Sequence, residues 1–258
     1  LGREKSLRKN TTEQMKSFHS RLYKPQNICL AIAGPIPLGI EDLLEKSLLS
    51  KKIETIKEMK LKTSDKLFFS KGYNRIYVER LETSRLIMCW PIPPADDQIL
   101  ITGIDIAISL LSEGRRSKLV HRLREELQIV ESIEMDITVL EKGGLIILEA
   151  CCKENDIESV EKEIHLILKK LIENESEEEE YERAKILVNN GLLFSLETSN
   201  QLANIAGNKV LWERTQQLDQ QIKYINYWSK SKLHQDIFKF MNPKSSYTLI
   251  AVPKVPSK

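Results

Sequence analysis

The sequence predicts an α+β fold, a mixed or antiparallel sheet covered by helices. Two observations lead there. Strand-like runs come in pairs and helical runs in series, in the order two strands, two helices, two strands, several helices, one strand. That order suits segregated layers rather than a doubly wound parallel sheet. In addition, 41% of the 258 residues are hydrophobic and 29% charged, so the chain can close a substantial core. No short internal repeat is evident.

Each element has its own signal. Thr11 to Tyr23 reads as a helix, with Thr11 or Thr12 as N-cap and Met15, Phe18 and Leu22 at helical spacing. Pro25 and Asn27 break it, and NICLAIAG, ending at Gly34, reads as a buried strand. Pro35, Pro37 and Gly39 mark a turn before a helix from Glu41 to Leu49. The lysine-rich stretch 50–66 reads as a linker between two domains, the alternative being a solvated helix face. LFFSKGYNRIYVER and SRLIMCWPIP form a strand pair, rich in β-branched and aromatic residues. Helices follow over Ile99 to Leu111 and Ser117 to Leu127, with Gly114 between them. IVESIEMDITVL and GLIILEACC are strands joined at Lys142-Gly143-Gly144. Asp156 to Asn174 places Ile157, Val160, Ile164, Ile167, Leu168 and Leu171 on one helical face. The acidic run Glu177 to Glu180 opens the next helix, where negative charge suits the dipole. Further helices span Asn200 to Leu211 and Asp219 to Phe240, and YTLIAVP closes the chain as a strand.

Composition excludes several classes. The net charge of +2, from 39 basic and 37 acidic residues, gives no electrostatic reason to expect nucleic acid as partner. No apolar run is long enough to span a bilayer, and the polar start LGREKSLRKNTTEQ carries no signal-peptide pattern. Cys29, Cys89, Cys151 and Cys152 have no zinc-finger spacing and read as reduced structural cysteines. The compartment stays open, with cytoplasmic favoured. The first residue is Leu1, not Met, so parent sequence is expected upstream.

The chemistry is sparse. The histidines are His19, His121, His165 and His234, and none makes an H-E-x-x-H or H-x-x-E-H motif. His121 and Glu125 lie one turn apart, but two ligands are too few for a catalytic zinc, so they read as a helix-surface pair. The acidic run lacks the Gly and Asn of a calcium loop. No nucleophile elbow or phosphate loop is present. The densest stretch is Gly114 to Ile133, where Leu119, Leu123 and Leu127 form a stripe with Arg124 beside it. Arg124 is positioned to reach a peptide carbonyl with its fork of donors; the alternative reading is a cationic helix face paired with Glu125, Glu126 and Asp136.

Four segments together resemble the insulinase/pitrilysin family of inverted-motif zinc peptidases, which includes mitochondrial processing peptidases and bacterial relatives. They are TTEQMKSFHSRLYKPQNICLAIAG, CWPIPPADD with its following helix, LLSEGRRSKLVHRLREELQIVESI and EEEYERAKILVNNGLLFSLET, in the family's order. The resemblance implies that residues 1–62 are the trailing helix, strand and helix of a preceding peptidase domain plus linker, and that 63–258 form a C-terminal domain without a zinc motif. It implies zinc in the parent but none in this chain, with a peptide substrate, the upstream domain and a family member in a homo- or heterodimer as partners. The chain alone is then expected to be inactive. Some C-terminal domains of the family supply an Arg and, seven residues on, a Tyr that grip the substrate backbone. Arg124 matches the Arg, but the Tyr position holds Glu131, and a carboxylate cannot donate as a phenol does at neutral pH. The gripping pair is therefore expected to be absent. The chain looks like the second domain of a zinc-bearing subunit, or part of a degenerate, non-catalytic partner or core-type subunit. A free-standing peptide-binding module is the third reading.

Overall fold

A computed structural model describes residues 2–24, 28–47, 67–211 and 220–254. The chain divides into two compact units, one of residues 1–63 and 193–217, the other of 64–192 and 218–258. The expected linker over 50–66 lies outside the described residues.

The first unit holds a short helix α1 (Glu4–Leu7), α2 (Thr12–Leu22), α3 (Ile40–Glu45) and, from later in the chain, α7 (Ser199–Leu211). Thr11 starts α2 with a capping box. Its Oγ1 accepts from the Gln14 amide at 3.3 Å, and its own amide donates to Gln14 Oε1 at 3.0 Å. Of the buried strand expected over 27–34, the described residues 28–34 form no strand. Residues 28–33 have no regular secondary structure, and Ile28, Leu30 and Ile32 are exposed. An apolar run becomes a strand only where another strand satisfies its amides, and this run pairs with none of the described strands. One flank is covered: the α7 backbone comes so near Ala31 that a Cβ at Gly207 would sit 3.3 Å from the alanine methyl.

The second unit is a five-stranded sheet with helices packed on one face. Its strands are β1 (Gly72–Val78), β2 (Ser84–Ile92), β3 (Ser132–Leu140), β4 (Gly143–Cys152) and β5 (Tyr247–Pro253), in the order β1-β5-β2-β4-β3. The sheet is mixed, β1 lying parallel to β5 and the other pairs antiparallel. The expected pairing of the first two strands is thus corrected. β5, from the far end of the chain, inserts between them, and β1 meets its partner from Gly72 opposite Tyr247 to Val78 opposite Pro253.

Alternation along the strands decides which face is covered. Leu86, Met88, Trp90, Ile146, Leu148, Ile250 and Val252 are buried in the core. Over them lie α4 (Gln98–Ser112), α5 (Ile157–Glu173), α6 (Glu178–Ser195), α8 (Gln220–Tyr227) and α9 (Lys230–Asp236), with 3-10 turns following α9; α6 passes into the first unit at Leu193. On α5 the buried residues are Ile157, Val160, Ile164, Leu168 and Leu171, the stripe that its periodicity predicts, with Ile167 packed beside it. Each such side chain contributes about 1.5–3 kcal/mol by leaving water. The helix expected over 219–240 is two helices, because Ser229 caps a new one through the Lys232 amide at 3.3 Å. Trp90 anchors the layers: it is fully buried and its Nε1–H donates to the Asn242 carbonyl at 2.9 Å.

Candidate functional site

The stretch around Arg124 is built as a connector from α4 to β3. Gly114, at φ +79°, turns the chain in a conformation open to glycine. Ser117 secures the turn, its hydroxyl donating to the Gly114 carbonyl at 2.7 Å. The helix expected over 117–127 forms over residues 118–126, with π geometry from Val120 to Glu126. The Leu127 amide donates to the Arg122 carbonyl, five residues back, at 3.0 Å. Leu119, Val120 and Leu123 are buried, whereas Leu127 is only half-buried, because the wider turn carries it off the stripe. Gln128 then reverses the chain at φ +53°, the one left-handed non-glycine among the described residues. The Glu131 amide joins the sheet by donating to the Cys151 carbonyl at 2.8 Å.

The π geometry also sets the charge pairs. His121 Nδ1 lies 3.2 Å from Glu126 Oε1 rather than against Glu125, which corrects the expected pair by one residue. Arg122 donates from Nη1 to Glu126 and from Nε to Glu163, both at 2.9 Å, and so ties the π-helix to α5. Arg124 is half-exposed and donates from Nε and Nη2 to Glu125 Oε1 at 2.9 and 2.8 Å. Its hydrogen bonds hold the Glu125 carboxyl below the usual range. Of the three acidic partners expected for the cationic face, Glu125 is engaged by Arg124 and Glu126 by Arg122. No hydrogen bond or ion pair joins Arg124 to Glu131 among the described residues. The acidic start of α6 is spent on neighbours, Glu180 on Lys118 at 2.6 Å and Glu178 on Lys230 at 2.9 Å. A cleft of about 420 Å³ lies between the π-helix, α5 and the start of α6.

These residues do not suit a metal. Among the described residues no three His, Cys, Asp or Glu side chains converge, and the His121–Glu126 pair is already shared with Arg122. The four cysteines are free thiols, and burial pushes Cys152 up to about 11.

Two features escape a reading by periodicity. Asp105 is a lone carboxylate in the apolar run of α4; burial, then the facing Asp136, pushes it up to about 7. That isolation is its signal in the sequence. Arg183 on α6 caps α4, donating to the Glu113 carbonyl at 2.8 Å and to the Ser109 carbonyl at 3.4 Å. Nothing local to Arg183 announces that role.

A model of the family described as the peptidase M16 inactive domain matches residues 9–188. The chain belongs to this family. No curated protein matches the chain. Among solved structures, a protease from Helicobacter pylori is similar at TM-score 0.79 and 19% identity, over 98% of this chain and 62% of its own. The M16 inactive domain from Pseudomonas fluorescens is similar at TM-score 0.75 and 14% identity, over 100% of this chain and 61% of its own. The periplasmic protease PqqL from Escherichia coli is similar at TM-score 0.59 and 14% identity, over 83% of this chain and 24% of its own. At these identities the likeness is one of fold, and it bears out the α+β reading. The chain spans about three fifths of the length of the first two.

Proposed function

We propose that this chain is the C-terminal, supporting part of a zinc metalloendopeptidase subunit. In this reading it helps to enclose a peptide and contacts a partner half, while the zinc-bound water and general-base Glu belong to a domain upstream of Leu1. Residues 1–62 then complete that preceding domain, and 63–258 form the domain without a metal.

The observation that carries the reading is the segment Ile28 to Ala33. It is apolar and outside any helix or strand, with three large side chains exposed and no ladder partner among the described residues. Such a segment is costly alone and is satisfied by a sheet that begins earlier in the chain. The M16 family match and the greater length of the similar structures support it. Within the enclosure Arg124 has one edge of its fork on Glu125, leaving the other to donate to a peptide carbonyl.

A second reading, a non-catalytic partner or core-type subunit, is favoured by Glu131, which cannot donate at the position where gripping domains carry Tyr. Reading the coding sequence upstream of Leu1 separates the two. H-x-x-E-H on a helix followed by a further Glu supports the zinc peptidase; a similar domain without that motif supports the inert subunit.

A further inference from the structure

The segment Leu119 to Leu127 carries partners for two helical registers. In an ordinary helix neighbours stand four residues apart, which would set Leu127 on the stripe of Leu119 and Leu123 and Glu125 against His121. In the π register they stand five apart, and that is the pairing observed. His121 Nδ1 meets Glu126 Oε1 at 3.2 Å, and the Leu127 amide donates to the Arg122 carbonyl at 3.0 Å. The observed register strands two side chains. Leu127 is half-buried, while Leu119 and Leu123 are fully buried. Glu125, without its histidine, closes on the neighbouring Arg124.

Arg122 does not choose between the registers. Its partner Glu126 is four residues on, and Glu163 holds it from α5 in either case. The choice lies between the His121–Glu126 contact on one side and, on the other, the burial of Leu127 with a His121–Glu125 contact. The turn that follows takes up the one-residue difference, since Gln128 is exposed and already left-handed at φ +53°. Beyond it the chain is fixed again, where the Glu131 amide donates to the Cys151 carbonyl. A π turn in a sequence patterned for the α form is a conflict between local signal and structure, and such conflicts gather at functional segments.

We propose that this segment is a two-register switch that masks and unmasks Arg124. In the π register Glu125 covers one edge of the Arg124 fork and offsets its charge. In the α register Leu127 returns to the core stripe, Glu125 passes to His121, and the whole fork is free for a peptide carbonyl. A peptide that binds the unmasked fork more tightly then draws the segment into the α register. The use of the switch rests on the peptide-enclosing reading; its existence does not.

The test uses the 258-residue chain without peptide or zinc. Phenylglyoxal, which attacks free guanidinium groups, is added, and the rate of Arg124 modification is read by peptide mass spectrometry. Burial of Leu127 is read from the broadening of its methyl signals by a soluble nitroxide. Glu126 is exposed and bonds His121 and Arg122, and no hydrogen bond or ion pair joins it to Arg124 among the described residues. Glu126→Gln therefore unmasks Arg124 only by changing the register. It is expected to raise the Arg124 rate about two- to fivefold, the strength of one half-exposed ion pair, and to shield the Leu127 methyls. Adding Leu127→Ser in that background is expected to return the rate to its original value. Glu175→Gln, equal in charge change and facing Lys230 at 3.8 Å, is expected to leave both readings as they were. An unchanged Arg124 rate in Glu126→Gln, a raised rate with Leu127 still open to the nitroxide, or a raised rate that survives Leu127→Ser overturns the proposal and leaves the π-helix a fixed connector. Neither zinc nor turnover enters the assay. A failed switch therefore leaves the chamber reading standing, and an inert parent leaves the switch standing.

Discussion

Glu134 on β3 faces Glu149 on β4 in register, and Arg85 on β2 bonds the latter carboxylate from its far side. One cation therefore bonds one of the two carboxylates that face each other on this row of the sheet. Removing it should expose the repulsion. Arg85→Ala is expected to lower the urea midpoint, and Glu134→Gln in that background to restore it. Equal midpoints for the single and double variants would show that the row is screened by solvent.

Asp105 makes stability depend on pH. Its folded pKa of about 7 lies above the ordinary 3.8, so the folded chain holds a proton that the unfolded chain has released. This contribution is complete below the unfolded value and is lost as pH rises towards 7. Asp105→Asn should remove that slope and stabilise the chain at pH 8 by on the order of 2–4 kcal/mol, the lower figure allowing for partial exposure. Urea unfolding from pH 4 to 8 measures it; parallel slopes for both proteins would contradict it.

Gly103 on α4 is required by its neighbours. A Cβ there would sit 2.5 Å from the Trp228 ring and 2.8 Å from Ile237, both buried. Trp228 cannot easily retreat, because its Nε1–H donates to the Ile99 carbonyl at 2.8 Å and its own carbonyl accepts from Tyr181 at 2.6 Å. Gly103→Ala is expected to cost about 1–3 kcal/mol or more, although alanine is the better helix former. Thermal unfolding decides the sign.

Gln128 presents the opposite case. It is exposed and held at φ +53° where the π-helix ends. Gln128→Gly should raise stability by about 0.5–1 kcal/mol, since glycine adopts this conformation without a Cβ penalty. A loss on substitution would mean that the glutamine side chain itself holds the turn.

What the sequence disclosed depended on range. The α5 stripe and the Thr11 cap were readable because their signals lie within a few residues. The partner of β1 was not, since Gly72 and Tyr247 are paired across nearly the whole length of the second unit, with every helix of its layer between them in the chain. The π-helix was hidden because Leu119, Leu123 and Leu127 fit an ordinary helix equally well, and the extra residue appears only once Leu127 leaves the core. Ile28 to Ala33 reads as buried because it is apolar, yet burial needs a cover that composition cannot supply. Arg124 stood out through its motif; its engagement by Glu125, rather than by Asp136, is a matter of geometry.

The measurement that bears most directly on the proposed role is zinc-dependent cleavage of a fluorogenic peptide, assayed with residues 1–258 alone and with the chain extended by its upstream coding sequence. No turnover is expected from residues 1–258, and chelator-sensitive turnover is expected once the upstream domain is present. Chelator-sensitive cleavage by residues 1–258 alone would contradict it.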